Sequence, residues 1–313
     1  MRIVFMGNPA FALPSLKRLY EDKHEILAAV TNPDKPAGRK RRLKSPEVKE
    51  LAVQLGLDVI QPHSLKNETF IENLRNLNPE LFVVVAFRIL PKQMLDIPSK
   101  GSINLHASLL PAYRGAAPIN WAIINGETET GISTFLIKPR VDTGDILLQR
   151  KTQIAPDAIY GEVYDELATV GAGLLSESVR LIESGEYVPL KQDEARATKA
   201  PKITSDLYEI NFDNSTKDVI NLIRGLSPKP GAYTVYRGKK VKILRAVIAS
   251  GGAKSLPGSI SVDSAGGKLQ ISCTDGVINI LSIQPEGKKR MTGVEFINGY
   301  HPKSGESMGD EAA

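Results

Sequence analysis

The chain of 313 residues contains a single cysteine, Cys273. It can form no internal disulfide and no cysteine-based metal site, and such sparing use of thiols fits a reducing cytoplasm, the expected location. No apolar run approaches the roughly 18–20 residues that a membrane-spanning helix needs, so no membrane association is expected. The opening Met1-Arg-Ile-Val-Phe-Met-Gly-Asn-Pro9 is broken by Gly7 and Pro9 and reads as a first core strand, not a signal peptide. No internal repeat is visible. The G-x-G-x-x-G fingerprint is also missing, since the turn after the first strand reads Gly7-Asn-Pro-Ala-Phe11, which argues against a dinucleotide-dependent oxidoreductase. Hydrophobic content of 42% and charged content of 24% belong to a globular chain with at least one sizeable core, and the length fits two domains. A net charge of +5 permits a polyanionic partner.

Residues 1–184 alternate strand-like and helix-like runs, the pattern of an α/β domain with a Rossmann-like parallel sheet. Strands are expected at 2–7, 25–31, 58–61, 81–87, 102–106, 132–138 and 145–149; helices at 12–21, 46–55, 68–77 and 160–184. Ser45-Pro46 reads as an N-cap followed by proline at the first helical position. Residues 185–208 mix charge, proline and polar side chains without a period and read as a linker crossing the surface. A helix over 216–226 and five short strands separated by glycine turns then predict a smaller β-barrel over 209–303, with an oligonucleotide-binding type of fold as the leading candidate. Residues 304–313 are small and polar and read as a disordered tail.

The most informative stretch runs Asn104-Leu-His-Ala-Ser-Leu-Leu-Pro-Ala-Tyr-Arg-Gly-Ala-Ala-Pro118. It lies at the carboxyl end of an expected strand, where open α/β sheets place their ligands. Asn104 and His106, two apart on that strand, point to one face about 7 Å apart. An amide and an imidazole so placed can hold one carbonyl oxygen and move one proton. Asp142, in the turn Val141-Asp-Thr-Gly-Asp145, is a carboxylate that would complete a proton-handling set. Composition and spacing name no reaction: a lone histidine at a strand end is more often structural, Asp-Thr-Gly-Asp is an ordinary turn, and Asn104 can simply close its strand.

Asn104-x-His106, then Ser108-Leu-Leu-Pro111, Arg114-Gly115, Pro118 and Asp142-Thr-Gly-Asp145, together with Phe5–Phe11, Val83–Phe87 and Gly115–Gly126, closely resemble the folate-dependent formyltransferase family. The resemblance covers nearly the whole chain. It implies Asn104, His106 and Asp142 as the catalytic set, 10-formyltetrahydrofolate as formyl donor, and no metal. It also implies a folate pocket lined by Ser108, Leu109, Leu110 and Pro111, with Phe87 and Ile89 from the preceding strand-to-helix turn. Arg88 and Arg140 depart from the family, which often has glycine at both.

Three features favour charged initiator methionyl-tRNA as acceptor over an amino sugar, glycinamide ribonucleotide or water. The segment 35–44 holds six basic residues (Lys35, Arg39, Lys40, Arg41, Arg42, Lys44) and no acidic one. With Pro36 and Gly38 it reads as an exposed, mobile loop suited to a phosphate backbone, and it is similar to the loop that tRNA-directed members of the family insert against the acceptor stem. Residues 209–313 carry 14 basic against 10 acidic side chains, with Lys240 and Lys242 on one strand face as further RNA contacts. The chain also continues past the length at which glycinamide-ribonucleotide enzymes stop. No protein partner is implied, and a monomer is the family expectation.

Overall fold

Leu81-Phe-Val-Val-Val85 is buried along its whole length, which a strand achieves only with neighbours on both edges and packing on both faces. It is fourth in a seven-stranded sheet of spatial order Ile146–Gln153, Glu129–Leu136, Ser102–His106, Leu81–Val85, Arg2–Gly7, Glu25–Val30 and Val59–Ile60. The last five run parallel, and Glu129–Leu136 runs antiparallel to Ser102–His106. The computed structural model describes residues 1–37, 42–250, 255–263 and 267–309.

Residues paired across strands share a face. Val4, Met6, Phe82 and Val84 meet Phe70, Ile71 and Leu74 of the helix Glu68–Asn76. That helix starts where the Asn67 side chain accepts the Phe70 N–H at 2.9 Å. Val84 pairs with Asn104, and His106 pairs with Ser133, so Asn104 and His106 rise from this same face. On the opposite face the helix Tyr160–Ser184 comes so close to Leu105 and Ile132 that any side chain at Gly171 would strike both.

Packing divides the chain into two units. One comprises Met1–Gly115, Gly131–Thr152 and Tyr164–Ala200; the other comprises Ala116–Thr130, Gln153–Val163 and Pro201–Ala313. The second is built on an antiparallel sheet of order Ala232–Tyr236, Lys239–Ile248, Val277–Pro285, Lys268–Ser272 and Ile260–Asp263, around a core that includes Ile243, Ile271, Ile280 and Phe296. Its two edge strands are joined by the end of the chain. Gly305 N–H donates to Ile260 O (2.9 Å), Ile260 N–H to Glu306 O (2.7 Å) and Gly309 N–H to Val235 O (2.9 Å).

Several expectations are corrected. The tail expected to be disordered from residue 304 is ordered to Gly309, because its backbone pairs with two strands and Met308 is only 1% exposed; residues 310–313 lie outside the described residues. The expected linker is not a plain surface crossing over 190–200. Leu190 exchanges both backbone hydrogen bonds with Ile146, and Lys199–Ala200 pairs with Arg114–Gly115. Ser45 is not the cap of the helix Glu47–Gln54; Pro46 holds that position, and the Ser45 hydroxyl donates to Asp34 at 3.1 Å. The strand expected to reach Phe87 stops at Val85, because Ala86 turns to φ +49°. The helices Pro118–Ile124 and Gly293–Tyr300 were not foreseen.

Candidate active site

His106 and Asp142, 36 positions apart in sequence, come together in the first unit. His106 Nδ1 lies 3.9 Å from Asp142 Oδ2, and the two side chains are 7% and 10% exposed. The other ring nitrogen, Nε2, is 2.9 Å from Tyr113 O. A carbonyl oxygen only accepts, so Nε2 carries a proton, and Nδ1 is the nitrogen that faces the carboxylate. The same Asp142 Oδ2 accepts the Gly115 N–H at 2.9 Å. Asp142 and Tyr113 both sit in the left-handed region, at φ +52° and +58°. Side-chain-bearing residues enter it at a cost of about 1–3 kcal/mol when the surroundings over-determine them. Asn104, two positions before His106, is half-buried, and its Oδ1 has no hydrogen-bond partner among the described residues.

The Ser108–Pro111 segment is tied down by its own neighbours. Ser133 Oγ donates to Ser108 O (2.6 Å) and accepts from Leu110 N–H (3.1 Å) and from Gln149 Nε2 (2.8 Å). Gln149 Nε2 also donates to Leu110 O (2.9 Å), and Ser108 Oγ to Ala112 O (2.6 Å). Leu110 packs with Phe135 and Ile146, and Leu109 lies against Gly131. These bonds fix the backbone of the segment and leave Leu109 and Pro111 partly exposed. Further apolar surface lies at Ile89 (71% exposed) and Val141 (47%), on the two turns that follow Leu81–Val85 and Glu129–Leu136, with Phe87 half-buried beside the first. Arg88 does not point to solvent. It donates to Pro62 O (3.0 Å) and lies over the Phe87 ring at 5.1 Å. Arg140 stays out in solvent, 3.7 Å from Glu194.

The basic segment is an antiparallel ribbon where it is described, with Lys35 opposite Lys44 and Pro36 opposite Leu43. Arg39, Lys40 and Arg41 lie outside the described residues, as does the side chain of Arg42. Lys35 is exposed, and Lys44 pairs with Glu47 at 2.9 Å. A cavity of about 270 Å³ opens beside the ribbon, lined by Asn8, Pro9, Asn32, Lys35, Lys44 and Glu47 among others. It lies at the carboxyl ends of Arg2–Gly7 and Glu25–Val30, next to the point where the strand order reverses, the usual ligand position of an open α/β sheet. In the second unit, Lys240 is exposed over the Tyr233 ring at 4.1 Å, whereas Lys242 Nζ is committed to Pro230 O at 2.6 Å. Cys273 is fully buried, and that burial pushes its thiol up to about 11, so it is no nucleophile near neutral pH.

One site residue has no signal in its own stretch of sequence: Gln192, 5% exposed, whose Nε2 donates to Asp142 O and Gly144 O.

Both halves of the molecule match the profiles of one enzyme class. The formyl transferase profile covers residues 1–179 and the formyl transferase C-terminal domain profile covers residues 202–301. Full-length relatives narrow the class. The methionyl-tRNA formyltransferase of Caldanaerobacter subterraneus subsp. tengcongensis is 47% identical over 97% of this chain and 99% of its own. That of Moorella thermoacetica is 46% identical over 99% of both. The chain belongs to the methionyl-tRNA formyltransferase family. Its fold is shared with a sugar 3N-formyl transferase crystallised with dTDP and 5-N-formyl-THF (TM-score 0.68, 20% identity, 92% of this chain and 99% of that one). It is also shared with Aquifex aeolicus HypX in complex with tetrahydrofolic acid (TM-score 0.67, 18% identity, 98% of this chain and 48% of that one).

Proposed function

We propose that this enzyme transfers the formyl group of 10-formyltetrahydrofolate to the α-amino group of initiator methionyl-tRNA. The full-length relatives are named methionyl-tRNA formyltransferases, and two proteins of the same fold were crystallised with folates. The observation that carries the chemistry is the meeting of His106 and Asp142 two residues from an unpaired Asn104 oxygen.

A free α-amino group titrates near 8, so part of it is neutral at pH 7 and no covalent enzyme intermediate is needed. The amine nitrogen bonds to the formyl carbon, whose oxygen takes up the electron pair as an oxyanion. Collapse re-forms the carbonyl and breaks the bond to N10 of the folate, and one proton passes from the amine to N10. The Asn104 NH₂ donates to the developing oxyanion. Imidazolium at His106 adds positive charge to the site, and Asp142 at 3.9 Å stabilises that charge and assists the proton's departure. The folate ring meets the Ser108–Pro111 segment and the apolar turns carrying Phe87, Ile89 and Val141. The basic side chains of the segment 35–44, namely Lys35, Arg39, Lys40, Arg41, Arg42 and Lys44, meet the phosphates of the acceptor stem, and Lys240 adds a weaker contact.

The test is formylation of charged initiator and elongator tRNA in parallel, at stated salt. Salt-sensitive transfer to the initiator alone is expected, with a loss of about 10²–10⁴-fold in kcat for His106→Ala and for Asp142→Asn at unchanged melting temperature. Wild-type turnover in either variant removes that residue from the mechanism. Transfer to an amino sugar or to water in place of tRNA overturns the acceptor.

A further inference from the structure

Asp142 reaches His106 from a loop in a conformation that its own residues disfavour. Its φ is +52°, and Gly144, two positions on, lies so close to the Leu136 carbonyl that a Cβ there would overlap it. From outside, the Gly115 N–H holds the carboxylate and the Gln192 side chain holds the backbone of the turn. Gln192 Nε2 donates to Asp142 O at 2.9 Å and to Gly144 O at 2.7 Å, so a single amide spans the turn that presents the carboxylate. Its Oε1 accepts from Arg114 Nε at 3.1 Å and from the second terminal nitrogen of the guanidinium at 2.7 Å. Arg114 is fixed in turn by Glu194 at 2.8 Å and belongs to the segment whose Gly115 N–H binds the Asp142 carboxylate. Every polar atom of this buried amide is paired, and its partners are the two chain segments that form the two sides of the site.

We propose that Gln192 is a positioning residue for the transfer reaction. It holds the Asp142 loop against the Arg114–Gly115 segment and so sets the placement of the carboxylate beside His106. The proposal rests on the role assigned to Asp142 above. Only a side chain with donors at one end and an acceptor at the other joins two carbonyls to a guanidinium. Glutamate keeps the acceptor for Arg114 but turns an anion toward the two carbonyl oxygens; methionine keeps the length and loses both functions. Because the amide touches none of the reacting atoms and meets the turn that carries Val141 only at the Asp142 and Gly144 carbonyls, its loss falls first on chemistry.

The experiment is a double-mutant cycle with Gln192→Glu, Gln192→Met and Asp142→Asn, using purified full-length enzyme, 10-formyltetrahydrofolate and charged initiator tRNA. Each Gln192 variant is expected to lower kcat by about 10- to 100-fold, the penalty for a displacement of roughly 1 Å at a reacting group, with both KM values within about twofold of wild type. In the Asp142→Asn background, Gln192→Glu is expected to cost nothing further, because the two changes remove one function. Lys191→Met, an exposed neighbour, serves as the control with unchanged rates. Gln192→Glu retains the Arg114 contact, so it reports even where Gln192→Met fails to fold. Full additivity with Asp142→Asn, or unchanged kcat in Gln192→Glu, overturns the positioning role. Wild-type kcat in Asp142→Asn alone overturns the role of Asp142 instead, so the two failures are distinguishable.

Discussion

Asp34 stands at one foot of the basic ribbon and Ser45 at the other. The carboxylate accepts from Gln61 Nε2 (2.9 Å), Lys49 Nζ (2.8 Å) and Ser45 Oγ (3.1 Å). Those bonds, Gln61 first and then Lys49, hold its carboxyl below the usual range. A carboxyl lowered by folding contributes stability above its unfolded value and loses it as pH falls through the lower, folded one. The ribbon's anchor is therefore complete at neutral pH and released in acid. Asp34→Asn is expected to raise the KM for tRNA at pH 7 while leaving the KM for the folate unchanged, and acidified wild-type enzyme should approach the variant. Equal tRNA KM values at pH 7 would remove Asp34 from the anchor. The segment's own residues do not announce this anchor, because a ribbon closed by a carboxylate on one side and a hydroxyl on the other depends on Lys49 and Gln61, which lie outside it.

At the scale of elements, the C-terminal segment carries more structure than its composition announces. Met308 is buried, and Glu306 accepts from Arg237 (2.8 Å) and Tyr236 (2.6 Å), which lowers its own carboxyl, the arginine contact being the larger cause. Met308→Ala is expected to destabilise the protein by about 2–5 kcal/mol, the range for a buried methionine emptied to alanine. Chemical denaturation measures it; a change under 0.5 kcal/mol would return the segment to a frayed tail. The helix Gly293–Tyr300 was within reach of sequence reading. Thr292-Gly-Val-Glu295 is a capping box, with the Thr292 side chain accepting from Glu295 N–H and Glu295 from Thr292 N–H. Ser304-Gly-Glu-Ser-Met-Gly309 offers no such sign, since its order comes from strands that it meets at Ile260, 45 positions before Gly305, and at Val235, 74 positions before Gly309.

At the scale of the whole molecule, the chain passes between its two units repeatedly, and the C-terminal unit includes residues from the formyl transferase N-terminal match. The helix Pro118–Ile124 packs on Thr216–Leu226. Asn120 Nδ2 donates to Gly225 O at 2.7 Å, and a side chain at Gly225 would collide with Ile124. Arg224, buried, donates to Ala155 O and Ala158 O. A fragment of residues 201–313 loses all of these. It is expected to melt well below the intact protein or to aggregate, read by circular dichroism against temperature; a cooperative transition at the temperature of the intact chain would show the unit to be self-sufficient.

By itself the sequence determined the parallel sheet, through its apolar runs of strand length, and the shared face of Asn104 and His106, because a strand repeats every two residues. It also singled out Asp142, though by resemblance and not by physics, since nothing local to Val141–Asp145 names a partner. Tertiary structure alone decided that Asp142 lies 3.9 Å from His106, that Ser108–Pro111 is braced by Ser133 and Gln149, and that Gln192 grips the Asp142 loop. The reason is the range of the forces. Periodicity and capping act over a few residues and leave a pattern in sequence, whereas a hydrogen bond across 50 positions is set by where two loops meet and marks neither of them.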